Sequence, residues 1–382
     1  MRTSIPGLLI LLFILLACPG CNQEEEFPEF DNLEDELDYL MGNYVGMGAA
    51  LGIIDSRQQL HTYFYGSISE NNPSPPDENS LFDIGSITKT FTATLLAQKV
   101  VEGELNLEDR VQGYLPGEQV TMPVWEGTEI RLKHLATHTS GLPRAPRESA
   151  QPYPEGYDPY NPYDAYETSH VYDYLNNYCD LEFEPGTGYL YSNTGGGLLG
   201  HALGLEDGTS FSELLHRRIL EPLGMELTTL DLEAEHLPFL APGHDEMMDS
   251  VANYTANDIF EGAGFIKSSL KEMILYLKAN LGMIGDQTPF ELAQQHHFEV
   301  GEVTYSDREG RFNLSIGLGW HIHTVSEDYS YCYHGGRTNG YMTFMAFDRD
   351  RSTGFVVMFN HSIPNRINRI GEELRVAIKK YE

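Results

Sequence analysis

The sequence predicts an α+β fold: an antiparallel sheet assembled from both chain ends, flanked by helices, with a helical insertion region between. Two groups of strand-like runs and the pattern between them carry this. Early runs stand at Tyr44–Asp55 and His61–Ser67. Four more gather late, at Leu314–His323, Tyr329–His334, Tyr341–Asp348 and Gly354–Asn360. The intervening chain is helical in pattern, so the middle reads as an insertion into one sheet rather than as an independent domain. The chain has 382 residues, 41% hydrophobic and 21% charged, which supplies a large core and argues against a disordered or fibrous protein.

Residues 1–17 start with Arg2 close to the N-terminus and run apolar from Leu8 to Ala17. Such a run, roughly ten residues, suits a signal-peptide core and is too short to span a bilayer as a helix. It ends at Leu15-Leu16-Ala17-Cys18, which resembles the lipobox of bacterial lipoproteins and makes Cys18 the expected lipidation site. A plain secretory signal is the alternative. The first reading anchors the protein in the bacterial cell envelope, and the acidic run close behind Cys18 tilts the expectation to the outer membrane. The second leaves it periplasmic or secreted.

Residues 18–37 read as an acidic tether, with nine acids between Glu24 and Asp38 and no base. At its end, Leu33, Leu37, Leu40 and Met41 have helical spacing and can dock on the body, taken as 38–382. Tyr44–Asp55 is rich in Val, Ile, Ala and Gly, and His61–Ser67 alternates Tyr63 and Tyr65, so both read as strands. From Ser86 to Val101 the apolar residues Phe91, Leu95, Leu96 and Val100 turn helical, and Gly103 ends the helix. Residues 148–216 hold twelve acids and no Lys or Arg; within them, 151–178 carries eight tyrosines and four prolines. That is too aromatic for a linker and too Pro-rich for one long helix, leaving a functional loop or a decorated surface. After the late strands the chain closes on an amphipathic helix bearing Ile367, Ile370, Leu374, Val376 and Ile378.

The charge balance restricts partners. Lys and Arg number 24 against 57 Asp and Glu, a net charge of −33. A polyanion repels nucleic-acid phosphates and anionic lipid, so a membrane contact would run through the lipid anchor alone. Four cysteines are too few for a disulfide framework, and Cys179 and Cys332 read as buried free thiols. The oligomeric state is left open.

Three motifs carry chemistry. The first is Ser86-Ile87-Thr88-Lys89. At a helix start, residues three apart share a face, so the Lys89 amine sits beside the Ser86 hydroxyl. A lysine discharged by burial can take the serine's proton, and the helix N-terminus aims free N–H groups at developing negative charge. A second copy, Ser268-Ser269-Leu270-Lys271, reads as a helix start with Ser268 or Ser269 as cap. The second motif is Tyr191-Ser192-Asn193, ahead of Thr194-Gly195-Gly196-Gly197. Its phenol can share the serine proton, and its amide can donate to neighbouring groups. The third is His334-Gly335-Gly336, followed by Arg337. Paired glycines let a substrate lie along a strand edge with a backbone N–H reaching its carbonyl oxygen. Each motif has a bland counterpart: a chance spacing, a turn before a glycine-rich helix, and a hairpin.

Together the three resemble the serine β-lactamase and penicillin-binding-protein family, in its class C β-lactamase, DD-peptidase and esterase branch; related motifs are a known example of the type. The resemblance extends to Phe82-Asp83-Ile84-Gly85, to 135–143 (LATHTSGLP), to Glu184-Pro185-Gly186-Thr187, to 221–225 (EPLGM) and to Gly317-Leu318-Gly319-Trp320. It covers roughly residues 38–380, in the family's motif order. It implies a β-lactamase/transpeptidase-like fold and a serine hydrolase working through a covalent acyl-enzyme. Ser86 would be the nucleophile, Lys89 and Tyr191 the base system, and Asn193 the group orienting Lys89 and substrate. His334, Gly335, Gly336 and Arg337 would line the substrate, with the backbone N–H groups of Ser86 and Arg337 forming an oxyanion hole.

The substrate class stays wide: a small ester, amide or peptide. A neutral ester is preferred because His334 stands where many β-lactamases place Lys and because 148–216 is acidic. A β-lactamase or DD-peptidase is the alternative, and a catalytically idle binding protein on the same fold the second. No G-x-S-x-G elbow is present for an α/β-hydrolase. His134 with His138, or His321 with His323, could suggest zinc, but no H-E-x-x-H occurs; neither a metal nor a cofactor is expected.

Overall fold

The computed structural model describes residues 27–44, 46–146, 149–255, 257–303, 312–364 and 366–381. The leader with Cys18 and the first part of the acidic stretch, through residue 26, lie outside the described residues. Eight antiparallel strands form the main sheet: β1 (Gly48–Ile54), β2 (Leu60–Gly66), β3 (Phe298–Val303), β4 (Phe312–Ile316), β5 (His321–Ser326), β6 (Tyr329–Arg337), β7 (Met342–Asp348) and β8 (Thr353–Phe359). Their spatial order is β2-β1-β8-β7-β6-β5-β4-β3, so the N-terminal hairpin is joined to the C-terminal strands through β1 and β8. Both chain ends build one sheet, as the strand pattern predicts.

Six helices frame it: α1 (Leu33–Tyr44), α2 (Thr88–Val101), α3 (Thr168–Asn177), α4 (Asn193–Asp207), α5 (Leu270–Asn280) and α6 (Ile367–Lys380). Strand side chains alternate between two faces, and both faces here are covered, which is why β1, β7 and β8 are buried along their whole length. Ala49, Leu51, Ile53, Phe344, Phe355 and Val357 pack with Leu37, Leu40 and Met41 of α1 and with Ile370 and Leu374 of α6. Each such large apolar side chain taken from water stabilises by about 1.5–3 kcal/mol. Ala50, Ile54, Met345, Phe347, Val356 and Met358 face the other way, into the large core shared with α2, α4 and α5.

Three strand expectations need correction. Tyr44 ends α1, so the first strand starts only at Gly48. Leu314–His323 is not one strand: Gly317 to Trp320 form a turn between β4 and β5, with Gly319 at φ +70°. That turn fits against α2, because the Gly319 backbone lies where a Cβ would come within 2.8 Å of the Lys89 carbonyl oxygen. Strand β3 was missed altogether, its interior Glu299, Gly301 and Glu302 hiding a strand that carries little apolar alternation. The helix expected from Ser86 begins as a tight turn, Gly85–Ile87, before α2 proper at Thr88.

Candidate active site

The turn bearing Ser86 is clamped between the sheet and the helical region. Thr343 of β7 donates to the Ile84 carbonyl at 2.8 Å, and the Ile84 N–H donates to the Ile266 carbonyl at 3.0 Å. Gly85 takes φ +52°, a conformation that favours glycine, and a Cβ there would lie 2.5 Å from the backbone nitrogen of Arg337. The Ser86 turn and the end of β6 therefore touch backbone to backbone. Gly336 permits this approach, since its Cβ would fall 1.9 Å from the Ile84 carbonyl oxygen.

Lys89 is buried on the first turn of α2. Its Nζ stands 3.3 Å from Ser86 Oγ and 2.8 Å from Asn193 Oδ1, and it also donates to the Ala263 carbonyl. Burial, and then the charge of Arg144, pull its pKa well below 10.5. A neutral amine has two N–H donors and one lone pair. In that form, donation to Asn193 and Ala263 would leave the lone pair for the Ser86 hydroxyl.

Tyr191 precedes α4, and its phenol faces the Ser86 side chain. Its ring centroid is 5.0 Å from Lys89 Nζ and 5.1 Å from the Arg144 guanidinium carbon. Burial raises the phenol's pKa, while the Ser86 hydroxyl and the charge of Arg144 oppose the rise. Ser192 caps α4 by accepting from the Gly195 N–H at 2.9 Å, which fixes Asn193 at the first helical position. The glycines that follow have a packing reason: a Cβ on Gly196 would meet Lys89 Cε at 2.9 Å.

His334 is buried at the end of β6, with Nδ1 2.8 Å from its neighbour's carbonyl, Gly335 O. Burial, His321 and Lys89 hold it well below 6.5, so the ring is neutral at pH 7. Ser86, Tyr191, Asn193 and the run His334 to Arg337 line one cleft of about 520 Å³. Every non-lipid site residue expected from sequence is thus brought together, with Lys89 immediately beneath. The second serine–lysine pair is not: Ser268 is buried against Thr228 at 2.8 Å, Ser269 caps α5 by accepting from the Glu272 N–H, and Lys271 is exposed.

Sequence reasoning missed several lining residues: Arg144, Pro159, Pro162, Tyr163, Tyr189, Tyr254 and His321. Tyr163 accepts from Asn193 Nδ2, and Tyr189 OH lies 2.9 Å from His321 Nε2. His134 and His138, weighed as metal ligands, have their Nδ1 atoms turned to the backbone N–H groups of Arg131 and Ser192, each at 3.2 Å. Cys179 is half-buried and Cys332 buried, and both are free thiols.

The Beta-lactamase family model matches residues 33–379. The chain belongs to this family. It is accordingly a serine hydrolase with the β-lactamase/transpeptidase-like fold. Among curated relatives, the D-alanyl-D-alanine-carboxypeptidase/endopeptidase AmpH of Escherichia coli (strain K12) is 28% identical over 356 residues, covering 90% of this chain and 88% of that protein. A β-lactamase of Pseudomonas fluorescens is 25% identical over 349 residues, covering 83% and 89%. Among solved structures, a β-lactamase/D-alanine carboxypeptidase from Yersinia pestis complexed with citrate aligns with TM-score 0.77 and 25% identity, over 91% of this chain and 98% of that one. The corresponding protein of Pseudomonas syringae aligns with TM-score 0.73 at 22% identity, over 91% and 98%.

Proposed function

We propose that the chain hydrolyses a small ester or amide through a covalent acyl-enzyme on Ser86, with Lys89 and Tyr191 as its base system. The observation that carries this is the buried Lys89 amine, whose Nζ stands 3.3 Å from Ser86 Oγ and 2.8 Å from Asn193 Oδ1 and also donates to the Ala263 carbonyl. Ser86 Oγ forms a bond to the substrate carbonyl carbon as its proton passes to Lys89, directly or by way of the Tyr191 hydroxyl, which gives its own proton on to Lys89. The carbonyl oxygen becomes an oxyanion within reach of the Ser86 and Arg337 backbone N–H groups. When the bond to the leaving group breaks, that group takes the proton. Water then repeats the sequence on the acyl-serine, releasing an acid and restoring Ser86. Asn193 orients Lys89, and His334, Gly335, Gly336 and Arg337 line the acyl and leaving-group sides.

A neutral ester gains support from His334, an uncharged ring where many β-lactamases place an ammonium. The acidic field of 148–216 gives it none, because the parts of that stretch lining the cleft contribute Pro159, Pro162, Tyr163, Tyr189, Tyr191 and Asn193 and no acid. The cations Arg144 and Arg337 in the lining favour a second reading, hydrolysis of D-alanyl-D-alanine-type peptides, the activity named for the AmpH relative.

Labelling tests the nucleophile. Ser86→Ala should abolish reaction with a fluorophosphonate or penicillin probe and Ser268→Ala should not; a labelled Ser86→Ala protein overturns the assignment. On a panel of p-nitrophenyl esters, D-Ala-D-Ala peptides and a chromogenic cephalosporin, ester turnover should exceed that of the cephalosporin. The reverse order sinks the ester reading.

The lipobox and the acidic run after it support a further part of the reading: a mature chain anchored in the bacterial envelope through Cys18, which lies outside the described residues. Mass spectrometry of the membrane fraction should find a diacylglyceryl group on Cys18. A soluble species beginning elsewhere would refute the anchor.

A further inference from the structure

We infer that Arg144 is the anion anchor of the cleft, the residue that gives the enzyme its preference for substrates carrying a carboxylate. The inference rests on the acyl-enzyme reading above and on its second, carboxylate-bearing substrate class, not on the neutral ester, and adds a residue that none of the three motifs contains.

Arg144 belongs to a chain that carries 57 acids against 24 bases, so a guanidinium without a carboxylate partner is unexpected. Among the described residues Arg110, Arg131, Arg217, Arg218, Arg349, Arg351, Arg369 and Arg375 are ion-paired; Arg57, Arg337 and Arg366 are, like Arg144, not, and of these three only Arg337 also lines the cleft. Among the described residues Arg144 makes no ion pair, and no side-chain hydrogen bond engages its guanidinium. It is exposed, and it lines the cleft holding Ser86, where none of the described lining residues is Asp or Glu. The site thus offers a fixed positive charge and nothing to neutralise it.

Its backbone is held where such an anchor must be held. The Arg144 carbonyl accepts from the N–H groups of Asn193 at 2.9 Å and Thr194 at 3.2 Å. Its neighbour Pro143 accepts from the Ser192 hydroxyl at 2.8 Å. Position 144 is therefore bolted to the motif that carries Tyr191 and Asn193, and the guanidinium carbon stops 5.1 Å from the Tyr191 ring centroid. A guanidinium over a ring face is attracted by the ring's negative face, an interaction that leaves its N–H groups free for a bidentate carboxylate. Arg337 is the competing candidate; its Nε donates to Ser362 Oγ at 3.1 Å, which leaves only its terminal nitrogens for a carboxylate, whereas the whole Arg144 fork is unengaged among the described residues. His334 cannot serve, being neutral and buried.

The test uses two N-acylglycyl thioesters that differ only in the leaving group, mercaptoacetate against mercaptoacetamide. The wild type should favour the carboxylate by at least tenfold in kcat/KM. Arg144→Gln should collapse that ratio to within about threefold, chiefly through KM. Arg144→Lys should restore part of it, since charge returns without the fork. Preference surviving in Arg144→Gln, or lost only in Arg337→Gln, overturns the inference, as does a wild type indifferent to the carboxylate. Fluorophosphonate labelling of the same proteins reads the nucleophile separately. A wild type that turns over both thioesters while Ser86 stays unlabelled indicts the acyl-enzyme reading, whereas labelling without carboxylate discrimination indicts Arg144.

Discussion

Asn193 donates its Nδ2 to the hydroxyl of Tyr163, thirty residues earlier in the chain, while its Oδ1 accepts from Lys89 Nζ at 2.8 Å. The two ends of an amide differ in charge but hardly in shape, so a partner at each end decides which way it faces. Tyr163 supplies that partner, and its ring is seated against Phe260 and Phe265 at centroid distances of 4.9 and 5.6 Å. The Tyr/Pro-rich segment therefore reaches the reaction centre through one phenol.

Tyr163→Phe keeps the ring and removes the acceptor. Losing a net hydrogen bond costs about 0.5–1.5 kcal/mol, so kcat/KM should fall roughly 2- to 13-fold with little change in Tm. An unchanged kcat/KM would show that Asn193 is oriented by Lys89 alone.

Lys89→Ala and Tyr191→Phe should each lower kcat by on the order of 10²-fold or more, the range for removing a proton-transfer group. Their effects should not add, because both groups meet at one hydroxyl. Steady-state kinetics of the two singles and the double provide the check, and near-wild-type turnover in either single would remove it from the base system.

Gly336→Ala tests the contact between the Ser86 turn and the sheet. The new Cβ would lie 1.9 Å from Ile84 O and 2.4 Å from Thr343 Oγ1, both on the elements that hold the turn. One of them must move. Overpacking of this kind costs about 1–3 kcal/mol of stability, and a displacement near 1 Å at a reacting centre can cost about 10²-fold in rate. Gly335→Ala is the milder control, its nearest contact being the Asn368 side-chain oxygen at 2.8 Å, which can swing away. Equal rates for the two variants would argue against a rigid contact.

A buried polar network on the far face should govern stability without touching the cleft. Tyr331 donates to Glu372, and Arg375 Nε lies 3.1 Å from the same carboxylate, all three buried. Glu372→Gln leaves the guanidinium without its countercharge, a loss of about 3–5 kcal/mol for a broken buried pair. Thermal unfolding should show it as a lowered Tm, with kcat retained below the transition. A Tm within a degree or two of wild type, roughly the effect of a neutral surface change, would contradict it.

The sheet was legible from sequence because β1, β7 and β8 are continuous apolar runs, a pattern that only a two-sided core produces. Strand β3 was not, since an edge strand with Glu299, Gly301 and Glu302 is held by pairing to β4 and not by its own composition. The reacting residues were legible for a different reason: Ser86 and Lys89 are one helical turn apart, so spacing alone brings them together. Tyr163 and Arg144 reach the site through tertiary packing. Nothing local marks Tyr163 among the eight tyrosines of its segment, and Arg144 sits just beyond the Leu142-Pro143 end of a recognisable run. What would have found Arg144 is charge, as the last base but one before a long stretch without any.

The pH profile follows from Lys89. Its burial, reinforced by Arg144, favours the neutral amine and lowers the pKa well below 10.5. The neutral form is the base, so activity is present above the depressed pKa and lost as pH falls through it. The nearby imidazoles do not intrude: burial takes His321 down to about 4, and holds His138 and His334 well below 6.5, so all three stay neutral through the range where an ordinary histidine titrates. We expect kcat/KM to rise along one acid limb that belongs to Lys89 and to be level by about pH 9. Arg144→Gln removes a positive charge that disfavours the ammonium, so the same limb should move to higher pH. A rate still climbing tenfold per unit between about pH 9 and 10 would mean an ordinary lysine, titrating where exposed amines do, and would take Lys89 out of the role of base.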